Sequence, residues 1–491
     1  MFCGDETAAL VGDLGSRTFK FGFAGEDMPR GWIPSATGHV VGQSDMDVDD
    51  DKGRPKSIVG ESALQHRCED VDITWAREDG FVKNWDVVED LWTHAVSFGL
   101  NSNARDHPIL AATPTYEPEA DRARLAEILL EKLETPAVFM PRNAILSAFS
   151  VGRATSLVVD VGAAKTCACA VHDGFVLRKS VRTSKIAGDY IDEHLLRLLE
   201  TQILPSLKAS SVDGANSENG DKDTKEASSS SSSANQASAN QQKGGSENSK
   251  EITSQLSSGS VDPPKILRVP CTFRRKLAHD GSTQKQINLK TTEELARIKP
   301  SFIRLQQMPV LTDLEANVCR VWTEVPFVEA QADEYAKEEY ELPDGTIVEL
   351  GRERFRSPEL LMRPETDMAY MKEKIPAAEL DKGSVSLPDV LKDSLQSAHV
   401  DLRRELVQQI MLVGGGAMIP GTIERLTKEL ALNLPSALKP RFLAPGKQER
   451  MFSTFTGGSI LSSLGSFQQL WISKAEYEEH GAAIIASRCR Q

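Results

Sequence analysis

The chain has 491 residues, 40% of them hydrophobic and 26% charged, with a formal net charge of −14. At roughly 100–200 residues per domain, two to four lobes around a substantial core are expected. The negative balance excludes a broad basic footprint for phosphate backbones, so any contact with DNA is expected to run mainly through partners. Seven scattered cysteines, none in a CxxC pair, point to reduced thiols in an intracellular compartment. The first residues, MFCGDETAALVGDLG, carry no basic region ahead of an apolar stretch, and no run of about 18 apolar residues exists to span a bilayer. A soluble chain without a membrane partner is expected.

In chain order, the N-terminal half alternates apolar strands with helical patterns, as α/β proteins do. AALVGDLGS reads as a buried strand ending in a Gly/Ser turn. Residues 39–60 are a polar interruption, and Ser44–Asp51 (SDMDVDDD) reads as a solvated acidic loop. Residues 120–133 read as a helix with Leu125, Ile128, Leu129 and Leu133 on one face. Residues 156–171 repeat the opening theme of strand, Asp, Gly and second strand. From 208 to 262, serines, Asn, Gln and Gly replace large apolar residues, so burial cannot offset ordering entropy and disorder is expected. The basic, mixed stretch 265–308, with FRRK at 273–276, matches no clear pattern. Tyr340–Leu350 reads as a hairpin turning at Pro343-Asp344-Gly345, residues 388–408 as helix, and QQIMLVGGGAMIPG as strand, glycine turn and helix.

Three segments have the chemistry to grip a nucleotide together. Asp13–Lys20 offers turn amides around Gly15, the Ser16 hydroxyl and the Lys20 ammonium to phosphate oxygens. Asp160-Val161-Gly162 is a similar turn. Asp13 and Asp160 are the two carboxylates expected to hold Mg²⁺, through its water shell because Mg²⁺ dehydrates reluctantly. Gly414-Gly415-Gly416 lets backbone lie against an adenosine. Taken singly, a DxG turn after a strand is more often a simple tight turn, and GGG more often a flexible loop.

The sequence around them resembles actin in ordered blocks along nearly the whole chain. ALVGDLGSRTFKFGFAGEDMPRGWIPSATG opens it. GFVKNWD at 80–86, HPILAATP at 107–114, YELPDGTIVELGRERFRSPELLM at 340–362, VDLRRELVQQIMLVGGGAMIPG at 400–421 and FTGGSILSSLGSFQQLWISKAEYEEHG at 455–481 follow. The resemblance implies an α/β, two-lobed actin-like fold of the actin, hexokinase and Hsp70 superfamily, with four subdomains around a nucleotide cleft. Residues 1–38, 76–148 and 441–491 would form subdomain 1, and 39–75 subdomain 2. Residues 149–187 and 355–440 would form subdomain 3, and 188–354 subdomain 4 with an insertion at about 205–310. It also implies ATP and Mg²⁺ as cofactors, with Asp13, Gly15, Ser16, Lys20, Asp160, Gly162, Gly188, Gly414 and Gly415 at nucleotide or metal-contacting positions.

The departures are informative. Where actin orders its attacking water with Gln, Asp and His, this chain has Asn143, Ala163 and Cys167, so little or no hydrolysis is expected. Arg17 replaces a glycine in the first phosphate loop, Ile419 an aromatic beside the adenine, and Met451 a lysine near the base. The acidic loop opposes burial at a filament contact, because unpaired buried carboxylates are costly. The opening GDETAALVGDLGS, Ala163, the tail with Gly465 and the variable insertion resemble the fourth class of nuclear actin-related proteins. That resemblance implies a nuclear, non-catalytic subunit that pairs with monomeric actin on a helix of a Snf-type ATPase or an acetyltransferase scaffold. Ile460, Leu461, Leu464 and Phe467 are candidate groove residues for that helix. Histones are a further candidate partner. The competing readings are a polymerising, ATP-hydrolysing cytoskeletal protein and a small-molecule kinase of the superfamily.

Overall fold

A computed structural model of the chain describes residues 8–41, 48–49, 54–55, 57–66, 69–205, 207, 266–276, 286–380 and 385–489. The 208–262 segment, expected to be disordered, lies outside the described residues. So does most of the acidic loop, whose Val48–Asp49 pairs antiparallel with Arg54–Pro55.

Two six-stranded sheets organise the molecule, each built on a hairpin whose first strand also pairs in parallel with a later strand. In the first, Leu10–Leu14 runs antiparallel to Thr18–Phe23 and parallel to Ile109–Ala112. In the second, Ser156–Val161 runs antiparallel to Thr166–His172 and parallel to Ile410–Val413. Continuous apolar runs such as Ile109–Ala112 and Ile410–Val413 are buried throughout, as strands covered on both faces must be. Gly12 is required beneath the first sheet: a Cβ there would sit 2.2 Å from the Trp92 ring.

Two helices join the sheets. Asn143–Ser150 presses Ala144, Ile145 and Ala148 against Val158, Cys169 and Met411 of the second sheet. Helix Lys447–Ser463 crosses it so closely that a Cβ on Gly457 would lie 1.8 Å from the Leu146 carbonyl oxygen. On its other side this helix carries Phe455 and Leu461 into the first core.

The stretch that matched no pattern supplies real structure. Phe273–Lys276 pairs with Gln286–Leu289, Thr291 caps a short helix with a reciprocal Glu294 bond, and Pro300–Asn317 forms a long helix. Val269, Leu295, Ile298, Phe302 and Ile303 then share one buried cluster with Ala36, Leu64, Val71 and Ile73, more than 190 residues away. The Pro343-Asp344-Gly345 turn is as read: Asp344 Oδ1 accepts from the Thr346 amide, and Gly345 takes the positive φ the turn needs. The single helix expected over 388–408 is instead two, Leu387–Ser397 and Val400–Val407, because Ala398 turns extended at ψ 157°.

The second lobe also buries an arginine. Arg425 donates to Glu359 at 2.8 Å, to Glu429 at 3.0 Å and to the carbonyls of Trp322 and Glu324 at 2.8 and 2.7 Å. Burial pushes the Glu359 carboxyl up to about 7 even though Arg425 opposes it.

Candidate functional site

Between the two hairpins lies a cavity of about 370 Å³, within the range of small-molecule sites. Every nucleotide-contacting position named from the sequence lines it: Asp13, Gly15, Ser16, Lys20, Asp160, Gly162, Gly188, Gly414 and Gly415. Ile419 and Met451 line it as well.

The sheets explain how distant residues meet. Asp13 ends the first central strand opposite Ala112, and Asp160 ends the second opposite Val413. Each hairpin closes the same way, Gly15 N–H on the Thr18 carbonyl and Gly162 N–H on the Lys165 carbonyl, both at 3.0 Å. Two equivalent turns therefore face each other across the cavity. At its third side, Gly414 adopts φ 91°, and a Cβ there would lie 2.4 Å from the Val161 carbonyl oxygen and 2.5 Å from Asp160 Oδ1. Gly415 faces open space. The glycines thus leave a cradle that side chains would fill.

Asp13 is paired with Lys20 at 3.3 Å. Burial, and then the Asp13 carboxylate, push Asp160 up to about 6. Two carboxylates that repel each other at the rim of a cavity suit a divalent cation. Among the described residues no group of three or more His, Cys, Asp or Glu side chains could hold a metal. Mg²⁺ bound here would keep most of its waters, with Asp13 and Asp160 accepting from them.

The three positions that depart from a water-ordering set are now placed. Ala163 lines the cavity and carries no hydrogen-bonding side chain. Asn143 is held at both ends: one Nδ2 N–H donates to Asp160 at 2.8 Å, while Oδ1 accepts from the Thr115 amide at 2.9 Å and its hydroxyl at 2.7 Å. Cys167 is buried, and burial pushes its thiol well above the ordinary range, so it stays neutral.

Some lining groups escaped the sequence reading. Arg17, read there as added charge and bulk, reaches across the cavity to the other lobe. It pairs with Asp189, with Asp192 at 2.5 Å, and donates to the Thr312 hydroxyl at 3.1 Å. Burial pulls its guanidinium down, but the two carboxylates outweigh that and raise it. Lys165 Nζ lies 4.0 Å from the Phe81 ring centroid and 5.3 Å from that of Tyr116, again spanning the lobes. Lys165 sits in the Asp160 turn and was findable; Thr312 follows the stretch that could not be placed. Gly188 and Asp189 spend their amides on the Gly162 and Ala163 carbonyls, which docks the Gly188–Leu198 helix onto the second turn.

The actin family model matches residues 4–258 and 232–490, which together span nearly all of the chain. The chain belongs to the actin family. Its relatives include Actin-related protein 4 of Arabidopsis thaliana, 33% identical over 514 residues and covering 100% of both chains. Actin-related protein 4 of Oryza sativa subsp. japonica is also 33% identical, over 515 residues and 100% of both. Actin-related protein 4 of Schizosaccharomyces pombe is 28% identical over 509 residues, covering 99% of this chain and 98% of that protein. The two-lobed α/β architecture is thus that of an actin-family protein. Among its described residues no helix is long and apolar enough to cross a membrane.

The four candidate groove residues divide. Ile460 and Leu464 are 40% and 43% exposed, whereas Leu461 and Phe467 are 7% and 2% exposed and belong to the first core. Leu461 and Phe467 are therefore core residues and are withdrawn as anchors, because their faces of the chain pack inward.

Proposed function

We propose that this actin-family chain binds ATP with Mg²⁺ in its cleft, hydrolyses it little or not at all, and serves as a non-catalytic nuclear subunit. In that role it pairs with monomeric actin on a helix of a Snf-type remodeller ATPase or an acetyltransferase scaffold. The observation that carries the reading is the pairing of an intact nucleotide cradle with a disarmed water site. Asn143 spends its carbonyl oxygen on Thr115 and one amide N–H on Asp160, Ala163 offers no hydrogen-bonding group, and the Cys167 thiol is buried and neutral. ATP is then a structural ligand that stabilises the folded chain by mass action, about 2.7 kcal/mol at 100 times Kd. The nuclear assignment is supported by the full-length likeness to proteins named Actin-related protein 4 and by the class features read from the sequence.

Titration calorimetry is expected to show Mg²⁺-dependent ATP binding, and Asp160→Asn to weaken it about tenfold or more by removing one of the two cation-facing carboxylates. Phosphate release should stay at background over hours. Turnover at ordinary enzyme rates would mean that another group orders the water.

Partners are tested by purifying the tagged chain from nuclear and cytoplasmic extracts. Recovery of actin with a Snf-type ATPase or an acetyltransferase scaffold from the nuclear fraction is expected. Leu464→Asp, on the exposed side of the groove, should deplete them at least fivefold while leaving the melting temperature within about 1 °C, as surface changes do. Sedimentation separates the competing reading: a polymerising protein would pellet with ATP and salt, and this chain should not.

A further inference from the structure

We propose that closure of the cleft is built into the chain itself, so that the lobes stay together whether or not nucleotide is bound. This goes beyond the nucleotide reading and stands on contacts between the lobes' outer ends.

The sheet Ala36–Val40 and Val71–Trp75 extends from the first lobe, and residues 286–299 lead into the Pro300–Asn317 helix, which packs on Gly188–Leu198 of the second. Across these outer pieces Val71, Ile73, Leu295, Ile298, Phe302 and Ile303 form one apolar cluster, each at most 7% exposed. Polar contacts fix its register. The Asp70 amide donates to the Arg297 carbonyl at 2.8 Å, and the Ile73 amide to the Ser301 hydroxyl at 3.1 Å. Ser301 in turn donates to Asp72 at 2.5 Å. Opening the mouth would expose the apolar cluster and strand these donors, an unfavourable combination.

Deeper in, Arg17 acts as a bolt. Its guanidinium, on the first hairpin, is held by Asp189 and Asp192 of the second lobe and by Thr312. The pair is largely screened from water, so it is not weakened as exposed pairs are. A cation already fixed on the far lobe does there what a phosphate bridging the two turns would otherwise do. The exposed Lys185–Asp79 pair at 3.8 Å adds little.

The consequence is a lobe geometry that does not report the nucleotide state. A partner reading the lower groove would meet the same surface with ATP, with ADP or with neither.

Hydrogen exchange of the full chain measures this directly, with peptides covering residues 69–75 and 295–303 as the readout. Nucleotide is stripped by chelation and gel filtration, and the sample is compared with one saturated in Mg²⁺ and ATP. Exchange in both peptides is expected to agree within threefold between the samples and to remain at least a hundredfold slower than in unstructured peptide. Exchange ten times faster without nucleotide, with residues 109–112 unchanged, would overturn the proposal. In the double variant Arg17→Ala, Phe302→Ala a nucleotide dependence of tenfold or more should appear. Should that variant not fold, Ser301→Ala provides the milder lesion, and unchanged exchange of 69–75 there would count against the shared register. If calorimetry finds no ATP binding, the nucleotide reading fails alone, and the hundredfold protection of the stripped protein decides this one.

Discussion

Gly457→Ala is expected to destabilise the chain by about 3 kcal/mol or more, a large fraction of the roughly 5–15 kcal/mol by which native proteins are stable. The added methyl carbon would stand 1.8 Å from the Leu146 carbonyl oxygen and 2.5 Å from its carbon. Both clashes are with backbone, in the middle of a helix whose own backbone is equally fixed, so neither side can yield by changing a rotamer. Relief needs the helices Asn143–Ser150 and Lys447–Ser463 to move apart, which would also loosen Ile145 from the second sheet and Phe455 from the first. Urea unfolding followed by circular dichroism reads the effect. Gly465→Ala is the control: a Cβ there meets nothing within 4 Å, so its midpoint should stay near that of the parent.

Arg425→Ala is expected to remove about 3–5 kcal/mol, because it leaves the buried Glu359 carboxyl without its cation and Glu429 with Arg363 alone. Glu359 and Glu429 both bond to Arg425, and all three side chains are at most 3% exposed. The pH dependence identifies the cause. Glu359 already sits at about 7 against an ordinary 4.5, through burial, with Arg425 pulling the other way. Without Arg425 its folded pKa rises further. A carboxyl whose folded pKa exceeds its unfolded value contributes stability below the unfolded value and loses it as pH climbs through the folded one. The deficit of the variant relative to the parent should therefore widen from pH 5 to pH 8. A deficit independent of pH would point to lost packing instead, and Arg425→Met with Glu359→Leu should recover much of the stability at pH 8.

What the sequence made readable was local. The turns at Asp13–Lys20, Asp160–Lys165 and Pro343–Gly345 carry their own Asp, Gly and apolar neighbours within a few residues, so their shapes follow from short-range chemistry. The stretch 266–305 was opaque for the opposite reason: its apolar residues are buried against Ala36, Val71 and Ile73, and no window of the sequence contains both halves. Arg17 looked like bulk because its carboxylates lie over 170 residues on. Asn143 could be read as one methylene short of a glutamine, but not as an amide held by Thr115 and Asp160. Leu461 and Leu464 share a stretch of equal apolarity, and only the first sheet decides that one is core and the other surface.

The shared outer core also sets a timetable for synthesis. Ile73 leaves the ribosome 228 residues before Ser301, whose hydroxyl it meets in the finished fold. At about 5–20 residues per second that interval is on the order of 10–50 s. Throughout it the Ala36–Trp75 sheet displays an uncovered apolar face. The first lobe waits longer still, since its edge strand Ile472–Ser473 and the Lys447–Ser463 helix are made more than 430 residues after its Leu10–Leu14 strand. A nascent chain with this order of completion should depend on chaperones that hold apolar strands until late in synthesis, and slowing elongation before residue 300 should raise the fraction that aggregates.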